Sequence, residues 1–340
     1  MTRKTFSMIG AGRMGQNHLQ VAINSGMEVV SIFDLNPVGL SSASKLLTSD
    51  TLLTTDLEEF VKSPAADLTT IATTSPSHAS LIEVLARSGR KVIVCEKPLA
   101  TSASELNQIS SLVDEFKLRI AVNHQMRYMD QYRLVKNYQA EYQLGNLCTM
   151  NVSGSNFGLG MNATHYIEAF HWLVGTEISS VMGNVQKQKN PNVRGNDFYD
   201  YAGYMLVRAG ADSLLILDFQ ESIGHQVIVV YNFQFGKIVV NELAGTLTID
   251  SRLGSDLDEP SFRYGMPNLH TDKVIRPAEL MQSTADLYAE VMGNGDFPSH
   301  IHGERSVRVA LAAVLSTERG GIQVQIDDPA LNQMDRLTWP

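Results

Sequence analysis

The stretch VIVCEKPLA, residues 92–100, joins an apolar run to groups that could hold or transfer a proton. The apolar residues indicate a buried strand, and Glu96, Lys97 and Pro98 follow at once. Pro98 restricts the residue before it to extended backbone angles, so the Lys97 ammonium is aimed in one direction. An amine can act in proton transfer when its surroundings lower its pKa to about 7–8. From these residues alone, a solvent-exposed ion pair at the strand end is the alternative.

A glycine pattern near the start of the chain could bind a phosphate. Gly10, Gly12 and Gly15 follow the apolar run TFSMI directly and open a predicted helix. Glycines at this spacing let the backbone approach a pyrophosphate, and the helix N-terminus offers free N–H groups to the anion. Asp34 lies 19 residues after Gly15, at the end of the next predicted strand, where a carboxylate would accept the ribose hydroxyls. A glycine turn without a ligand is the alternative, but the strand, the helix and the acid favour a dinucleotide site.

Asp34 also bears on which dinucleotide binds. Its negative charge would repel the 2′-phosphate of NADP, and residues 35–37 supply no Arg or Lys to hold that phosphate. We therefore predict NAD as the cofactor, with NADP as the less favoured alternative.

The elements that must position these residues alternate along residues 1–121. The apolar runs TFSMIG, EVVSIFD, DLTTIATT, VIVCEK and LRIAVNH are separated by helical patterns at residues 14–25, 38–47, 78–88 and 102–116. Such alternation predicts an α/β domain, a Rossmann-type doubly wound parallel sheet with crossover helices. Ser102 and Glu105 have the spacing of a capping box at the start of the last helix.

The pattern changes in residues 122–340, for which we predict a second, α+β domain. The runs YAGYMLV, SLLILDF, QVIVVYNF, KIVVNEL and TLTID are joined by short polar turns, so neighbouring strands are expected to pair antiparallel in a large open sheet. Helices are predicted at residues 163–174 and 305–317, and a final strand at IQVQID. Residues 251–275 are expected to form a loop or an excursion from the sheet. The flat face of the sheet would suit a homodimer or homotetramer.

Composition limits the partners of the chain. A net charge of -9 over 340 residues disfavours nucleic acid and anionic membranes, and no run approaches the roughly 18 apolar residues of a membrane span. The two cysteines, Cys95 and Cys148, suit neither a disulfide framework nor zinc-ligand spacing, so we expect no metal and a cytoplasmic location. The apolar part of the opening MTRKTFSMIGAG is too short for a signal peptide.

Taken in order, these motifs resemble a known family. GAGRMG after a strand, FD at the second strand, IATTSPSH, CEKP, MRYMD and HYIEAFHWLVG look like the Gfo/Idh/MocA oxidoreductases, the glucose-fructose oxidoreductase and inositol dehydrogenase group. The likeness extends over nearly the whole chain, including GERSVRVALAAVLSTERGGIQVQI near its end. It implies a nicotinamide-dependent dehydrogenase or reductase that acts on a carbinol carbon of a sugar, a cyclitol or a nucleotide-sugar.

The resemblance also implies roles for particular residues. Lys97 would reach the active centre, and further residues would surround the cofactor, namely Arg13, Met14, Ser75, His78 and Glu96. His78 could equally be a capping or packing histidine. Gln125 and Arg127 would contact the sugar, although Arg127 could instead hold the domains together.

One position departs from the family pattern. Members commonly carry Asp-x-x-x-His on a helix, followed by an acid, a tryptophan and a glycine, and here His165, Glu168, Trp172 and Gly175 keep the later spacing. Met161 stands where the aspartate would be, and Asn162 is the nearest polar residue. On a helix Asn162 would share a face with His165, but an amide cannot take a proton, so it could only orient groups.

Proton transfer therefore falls to His165 and Lys97. We expect His165 to accept the hydroxyl proton during oxidation while Lys97 hydrogen-bonds the same oxygen, or the two roles to be exchanged. A structural core histidine is the alternative for His165.

Two other function classes stay open at this stage. One is a nonenzymatic regulator that senses dinucleotides, since this fold also serves such proteins. The other is a reductase or lyase-like relative that uses bound NAD on an unrelated substrate.

Overall fold

The computed structural model describes residues 3–47, 50–155, 157–189, 195, 197–259, 263–276, 279–293 and 295–339. The chain forms two compact units, each assembled from separate stretches. The first unit comprises Met1–Gln125, Glu279–Val307 and Pro329–Pro340, and the second comprises Met126–Ala278 and Arg308–Asp328. The predicted limits, 1–121 and 122–340, treat each domain as one continuous stretch and stay a prediction.

The first unit is built on a parallel sheet. Among the described residues its strands are β1 (Thr5–Ile9), β2 (Glu28–Phe33), β3 (Leu52–Thr54), β4 (Leu68–Ile71), β5 (Val92–Cys95) and β6 (Arg119–Val122). They lie in the order β3-β2-β1-β4-β5-β6, and every pairing is parallel. This is the strand order of a doubly wound dinucleotide-binding sheet, so the predicted Rossmann fold is confirmed.

The second unit is built on a larger, mostly antiparallel sheet. Its described strands are β7 (Leu147–Ser153), β8 (Ile178–Lys187), β9 (Tyr201–Ala209), β10 (Ser213–Asp218), β11 (Ile228–Phe233), β12 (Gly236–Asn241), β13 (Thr246–Arg252), β14 (Asn268–Val274) and β15 (Val324–Gln325). Their order is β14-β13-β12-β11-β7-β10-β9-β8-β15. The predicted α+β class is therefore confirmed.

Two local predictions in this unit were wrong. β10 and β11 follow each other in the chain, but they do not pair, because β7 lies between them and runs parallel to β10. Residues 251–275 are not all loop, since β14 pairs antiparallel with β13. Both errors have the same cause: local turn signals do not show which distant strand supplies the hydrogen bonds.

Within the described chain the helices are α1 (Arg13–Asn24), α2 (Pro37–Ser44), α3 (Leu57–Lys62), α4 (His78–Arg87), α5 (Ala103–Phe116), α6 (Asp130–Glu141), α7 (Thr164–Val174), α8 (Leu280–Met292) and α9 (His300–Glu318). The six predicted helices are present, and α3, α6 and α8 were not predicted. Ser102 Oγ accepts the N–H of Glu105, as in a capping box, but the Glu105 carboxylate accepts the N–H of Thr101 and not that of Ser102. No described helix combines the length and the apolar character needed to cross a membrane.

The C-terminal stretches complete the core of the first unit. Helix α8 packs on α1 and buries Leu287, Tyr288 and Val291. Trp339 is wholly buried, and its indole N–H donates to the carbonyl of Ala100 at 3.2 Å. Residues far apart in sequence therefore support the segment that follows Lys97.

Candidate functional site

The glycine loop between β1 and α1 is shaped for close backbone approach. Gly10 has a φ of 92°, and a Cβ there would lie 2.7 Å from the carbonyl oxygen of Ala72. A Cβ on Gly15 would lie 2.0 Å from the carbonyl oxygen of Gly10, so neither position admits a side chain. Gly12 instead borders open space, with no heavy atom within 4 Å of the position that its Cβ would take. The loop can thus bring its backbone against a ligand.

The start of α1 suits a bound anion. Gly12 is the N-cap and has no side-chain capping hydrogen bond, and the first turn carries no acidic residue. The first N–H groups of a helix have no partner within the helix and carry the positive end of its dipole. A dinucleotide pyrophosphate fits this position.

Asp34 ties the glycine loop to the end of β2. Its Oδ2 accepts the N–H of Ala11 at 2.5 Å, and its Oδ1 accepts the N–H of Asn36 at 2.7 Å. A carboxylate can accept about four hydrogen bonds, so Asp34 can accept about two more from ribose hydroxyls. The structure therefore brings Asp34 to the loop, as the spacing predicted.

Glu96 is buried at the carboxyl end of β5 with a polar partner on each side. Its Oε1 accepts from His18 Nε2 at 2.8 Å and from Asn123 Nδ2 at 2.9 Å, and its Oε2 accepts the N–H of Lys97 at 3.3 Å. Burial by itself raises the pKa of Glu96. The His18 hydrogen bond and charge, the Asn123 hydrogen bond and the Lys97 charge outweigh burial and lower that pKa to about 2. Glu96 is accordingly an ionised carboxylate.

The polar contacts continue from Glu96 into the core. His18 Nδ1 lies 2.7 Å from the Tyr288 hydroxyl, which lies 3.0 Å from Thr70 Oγ1. Burial raises the pKa of Tyr288, so its hydroxyl keeps its proton. Sequence reasoning missed His18, Tyr288 and Asn123 as site residues. One available signal was that Asn123 and Glu96 each end one of two neighbouring parallel strands.

Lys97 is half-buried directly beyond this carboxylate. The Lys97–Pro98 peptide bond is cis. Since β1, β2, β5 and β6 run parallel, the glycine loop, Asp34, Glu96 and Lys97 all lie at the same edge of the first sheet.

Ser75 and His78 are held by backbone groups. Ser75 Oγ donates to the carbonyl of Trp339 at 3.1 Å. The two ring nitrogens of His78 face the carbonyl oxygens of Pro98, at 2.9 Å, and Thr73, at 3.2 Å. Burial lowers the pKa of His78 despite these acceptors. The contacts agree with a packing role for His78, and its role at the cofactor stays a prediction, as do those of Ser75, Arg13 and Met14.

In the second unit, Asn162 and His165 lie on either side of a helix junction. Asn162 belongs to a π-helical turn, Gly158–Ala163, and His165 is buried in the first turn of α7. The N–H of Thr164 bonds to the carbonyl of Leu159, five residues back. In an α-helix, residues three positions apart lie on the same face. A π-helical turn is wider, so this rule does not apply here, and the pairing of Asn162 with His165 stays a prediction.

Asp200 holds this turn in place. Its carboxylate is buried and accepts the N–H groups of Gly160 at 2.8 Å and Met161 at 2.9 Å. A Cβ on Gly158 would lie 2.2 Å from Asp200 Oδ2, so the glycine makes room for the acid. Nothing in the local sequence marked Asp200, which is 39 residues from Met161.

Arg127 is committed to a buried ion pair with Glu168 on α7. Its Nε donates to Glu168 Oε1 at 2.9 Å, and its Nη2 donates to the same oxygen. The Arg127 guanidinium also lies 5.8 Å from the ring of Trp172. Glu168 and Trp172 were named above for their spacing after His165. Through these contacts, both residues hold Arg127 in place. The predicted substrate contacts of Arg127 and Gln125 stay predictions.

A partly buried carboxylate links α6 and α7. Glu242, after β12, accepts hydrogen bonds from the hydroxyls of Tyr132 on α6 and Tyr166 on α7. Burial raises the pKa of Glu242, and the two hydroxyls only partly oppose this. The cluster fixes the helix that carries His165.

Among the described residues, no group of three or more His, Cys, Asp or Glu side chains could hold a metal ion. The glycine loop suits anion binding, and proton transfer at Lys97 and His165 stays a prediction.

Comparison with known sequences finds a family model that matches most of the first unit's N-terminal stretch. Residues 4–124 match the family model described as "Oxidoreductase family, NAD-binding Rossmann fold", named GFO_IDH_MocA. The rhizopine catabolism protein MocA of Rhizobium meliloti is 24% identical over 193 residues, which cover 52% of this chain and 59% of that protein. An inositol 2-dehydrogenase of Acidothermus cellulolyticus is 25% identical, over 64% of this chain and 66% of that protein. The matches thus span less than two thirds of these relatives.

Solved structures share the fold over almost the entire chain. An oxidoreductase from Agrobacterium radiobacter, in complex with NAD+, L-tartaric acid and magnesium, aligns with a TM-score of 0.79 and 16% identity, covering 96% of this chain and 99% of that one. Levoglucosan dehydrogenase in complex with NADH aligns with a TM-score of 0.72 and 19% identity, with the same coverage.

The strand order, the glycine loop with its acid and the matched region agree with one another. Residues 4–124 thus match the Gfo/Idh/MocA family model, described as an NAD-binding Rossmann fold, and almost the whole chain is similar in fold to solved oxidoreductases.

Proposed function

We propose that the protein is an NAD-dependent oxidoreductase that transfers a hydride between the cofactor and a carbinol carbon of a sugar or cyclitol. The observation that carries the proposal is the common sheet edge in the first unit, where the glycine loop, Asp34 and the Glu96–Lys97 corner follow strands of one parallel sheet. Ligands of open parallel sheets bind at this edge. The names of the relatives, inositol dehydrogenase and levoglucosan dehydrogenase, support the substrate class. A nucleotide-sugar belongs to the same class.

NAD is the proposed cofactor in preference to NADP. Asp34 is anchored to the loop by the N–H of Ala11, so its carboxylate cannot simply swing away from a 2′-phosphate. The exposed residues next to it, Leu35 and Asn36, carry no positive charge. Measured affinities for the two dinucleotides should favour NAD, and equal affinity would contradict this assignment.

His165 and Lys97 are the proposed proton-transfer residues. When bound, the nicotinamide supplies the hydride acceptor or donor. His165 takes the hydroxyl proton during oxidation and Lys97 hydrogen-bonds the same oxygen, or the two exchange these tasks. Asn162, Gln125 and Arg127 are proposed to orient the substrate through hydrogen bonds.

Lys97→Ala tests the assignment. Removal of a group that acts in the transition state should lower kcat by about 10²- to 10⁴-fold while the affinity for NAD changes little. Lys91→Ala is the matched control, because Lys91 is an exposed lysine just before the opposite end of the same strand. Undiminished turnover in Lys97→Ala would contradict the proposal.

A double variant tests whether the two residues serve one step. Residues that act as a unit are strongly non-additive, so Lys97→Ala combined with His165→Ala should lose little more activity than the worse single variant.

The absence of the family aspartate at Met161 favours one other candidate, a nonenzymatic dinucleotide sensor. A panel of sugars, cyclitols and sugar nucleotides mixed with NAD and the protein separates the two. Reduced-nicotinamide absorbance supports the enzyme, whereas NAD binding without any absorbance change supports the sensor.

Homo-oligomer formation in the cytoplasm completes the proposal. Met182 on β8 and Tyr204 on β9 are 42% and 48% exposed on adjacent strands of the second sheet, which suits a flat apolar contact between copies. Light scattering should report a dimer or tetramer, and Tyr204→Asp should shift it toward monomer.

A further inference from the structure

We propose that His18 and Tyr288 are positioning residues that hold Glu96, and through it Lys97, in place for proton transfer. The proposal rests on the function proposed above, because it assigns a purpose to the surroundings of Lys97. The network comprises Thr70, Tyr288, His18, Glu96 and Asn123, linked by hydrogen bonds of 2.7–3.0 Å.

Five separate elements supply this network, with Thr70 coming from β4. His18 lies on α1, three residues after Gly15, so the helix that begins at the glycine loop also carries the histidine. Glu96 and Asn123 end the neighbouring strands β5 and β6, and Tyr288 comes from α8. The network therefore joins the helix of the dinucleotide loop to the residue next to Lys97.

The donors and acceptors can be assigned from the charge of Glu96. An ionised carboxylate only accepts, so His18 must donate from Nε2 and Asn123 from Nδ2. A neutral His18 would then accept the Tyr288 O–H at Nδ1, and Tyr288 would accept from Thr70. A cationic His18 would reverse the direction of these last two bonds. Both arrangements satisfy every hydrogen bond between the five residues.

The position of Lys97 depends on this network because the backbone N–H of Lys97 donates to Glu96. One oxygen of Glu96 is fixed by His18 and Asn123, and the other accepts the Lys97 N–H at 3.3 Å. Glu96 is 7% exposed and His18 is 1% exposed, so water cannot readily replace a lost donor. Loss of His18 should let the carboxylate turn and should release the peptide that carries the lysine.

Other titratable groups surround this carboxylate and must be considered in any pH profile. Those that interact electrostatically with Glu96 are His18, His78, Cys95, Lys97 and Tyr288. Burial raises the pKa of the Cys95 thiol and of Tyr288, so neither ionises near neutral pH. An acid-side change in a His18 variant would then report on Glu96 or on His78.

The first experiment compares His18→Leu with His18→Gln. Leucine fills similar space without a donor, whereas glutamine can still donate a hydrogen bond. His18→Leu should lower kcat by about 10- to 100-fold, as expected for a misplaced catalytic group, with the KM for NAD changed by less than about 3-fold. The acid limb of its kcat profile should move to higher pH, and His18→Gln should recover most of the activity.

Two further variants keep the test decisive. Tyr288→Phe removes one hydroxyl at the far end of the network and should lower kcat by about 3- to 10-fold, which decides the matter if His18→Leu does not fold. Tyr231→Phe, in an equally buried tyrosine of the second unit, is the control and should leave kcat unchanged. Unchanged kcat and pH profile in folded His18→Leu, or equal losses in the leucine and glutamine variants, would overturn the proposal.

A second measurement needs neither substrate nor cofactor. Lysine labelled with ¹³C at Cε, with the Lys97 signal assigned from Lys97→Arg, reports the surroundings of that side chain by NMR. The signal should shift in His18→Leu and in Tyr288→Phe but not in Tyr231→Phe. If the Lys97 signal shifts in these variants but the protein turns over no tested substrate, the proposed function is contradicted and the proposed network is supported. If the protein turns over a substrate but the Lys97 signal shifts in neither variant, only the proposed network is contradicted.

Discussion

Glu96, which is buried, and Glu242, which is partly buried, are two glutamates with opposite electrostatic surroundings. Glu96, in the first unit, accepts from an imidazole and an amide, has Lys97 beside it, and has its pKa lowered to about 2. Glu242, in the second unit, accepts from two tyrosine hydroxyls, and burial raises its pKa. Both carboxylates have hydrogen-bond donors.

The contrast shows that the hydrogen-bond donors and the charge of the neighbours together decide in which direction the pKa of each carboxylate moves. A neutral hydroxyl offsets part of the desolvation of the carboxylate, whereas a cationic partner adds Coulombic attraction at low local dielectric. Glu96 is thereby kept as a permanent anion next to Lys97. Glu242 serves as a hydrogen-bonded link between helices.

The largest expected effect on stability comes from removing the imidazole that donates to Glu96. His18→Leu should lower the free energy of unfolding by about 3 kcal/mol, because it leaves a buried carboxylate without its main donor. Urea unfolding of the variant and the wild type measures the difference. A loss below about 1 kcal/mol would mean that the two glutamates are not as different as their contacts indicate.

The second effect is a dependence of stability on pH. The pKa of Glu96 is lowered from 4.5 to about 2, so its contribution to stability is present above about pH 4.5 and is lost as the pH falls through about 2. This difference corresponds to about 3 kcal/mol at most. Glu96→Gln should lack that part of the acid dependence.

Glu242 should show the opposite sign in the same titration. Because its pKa is raised in the folded protein, its contribution is present below the unfolded value and is lost as the pH rises through the folded one. Comparison of Glu242→Gln with the wild type across acidic pH isolates this contribution. A contribution from Glu242 that grows with rising pH would contradict the assigned direction.

The smallest effect is expected for Glu242→Gln at neutral pH. A neutral amide can still accept from one of the two tyrosines, so the free energy of unfolding should fall by only about 1 kcal/mol. Thermal or urea unfolding measures this change. A loss as large as that of His18→Leu would show that Glu242 acts as a charged group.

The sequence predicted the features that depend on local spacing. The glycine loop, Asp34 and the corner at Lys97 are each defined by residues close together in the chain, and the parallel sheet follows from the alternation of its elements. The short segments β3 and α3 were not predicted, since they carry little periodicity. The longer elements α6, α8, β7 and β8 were not predicted either.

The partners of the site residues could not be predicted in the same way. His18 meets Glu96 across 78 positions and Tyr288 across 270 positions, and one sequence contains no signal for such pairs. The predicted pairing of β10 with β11 was wrong for the same reason, because β7 lies between these two strands. What is missed in each case is a contact that only the tertiary fold creates.

The buried positions of Tyr288 and Trp339 have a consequence for biosynthesis. The last strand of the first sheet ends at Val122, yet side chains that complete the core of that unit are translated only after the Met126–Ala278 stretch of the second unit. Part of the apolar surface of the Rossmann sheet therefore stays exposed to solvent until these later residues have been synthesised. Expression of residues 1–124 alone should yield a polypeptide that depends on chaperones or aggregates.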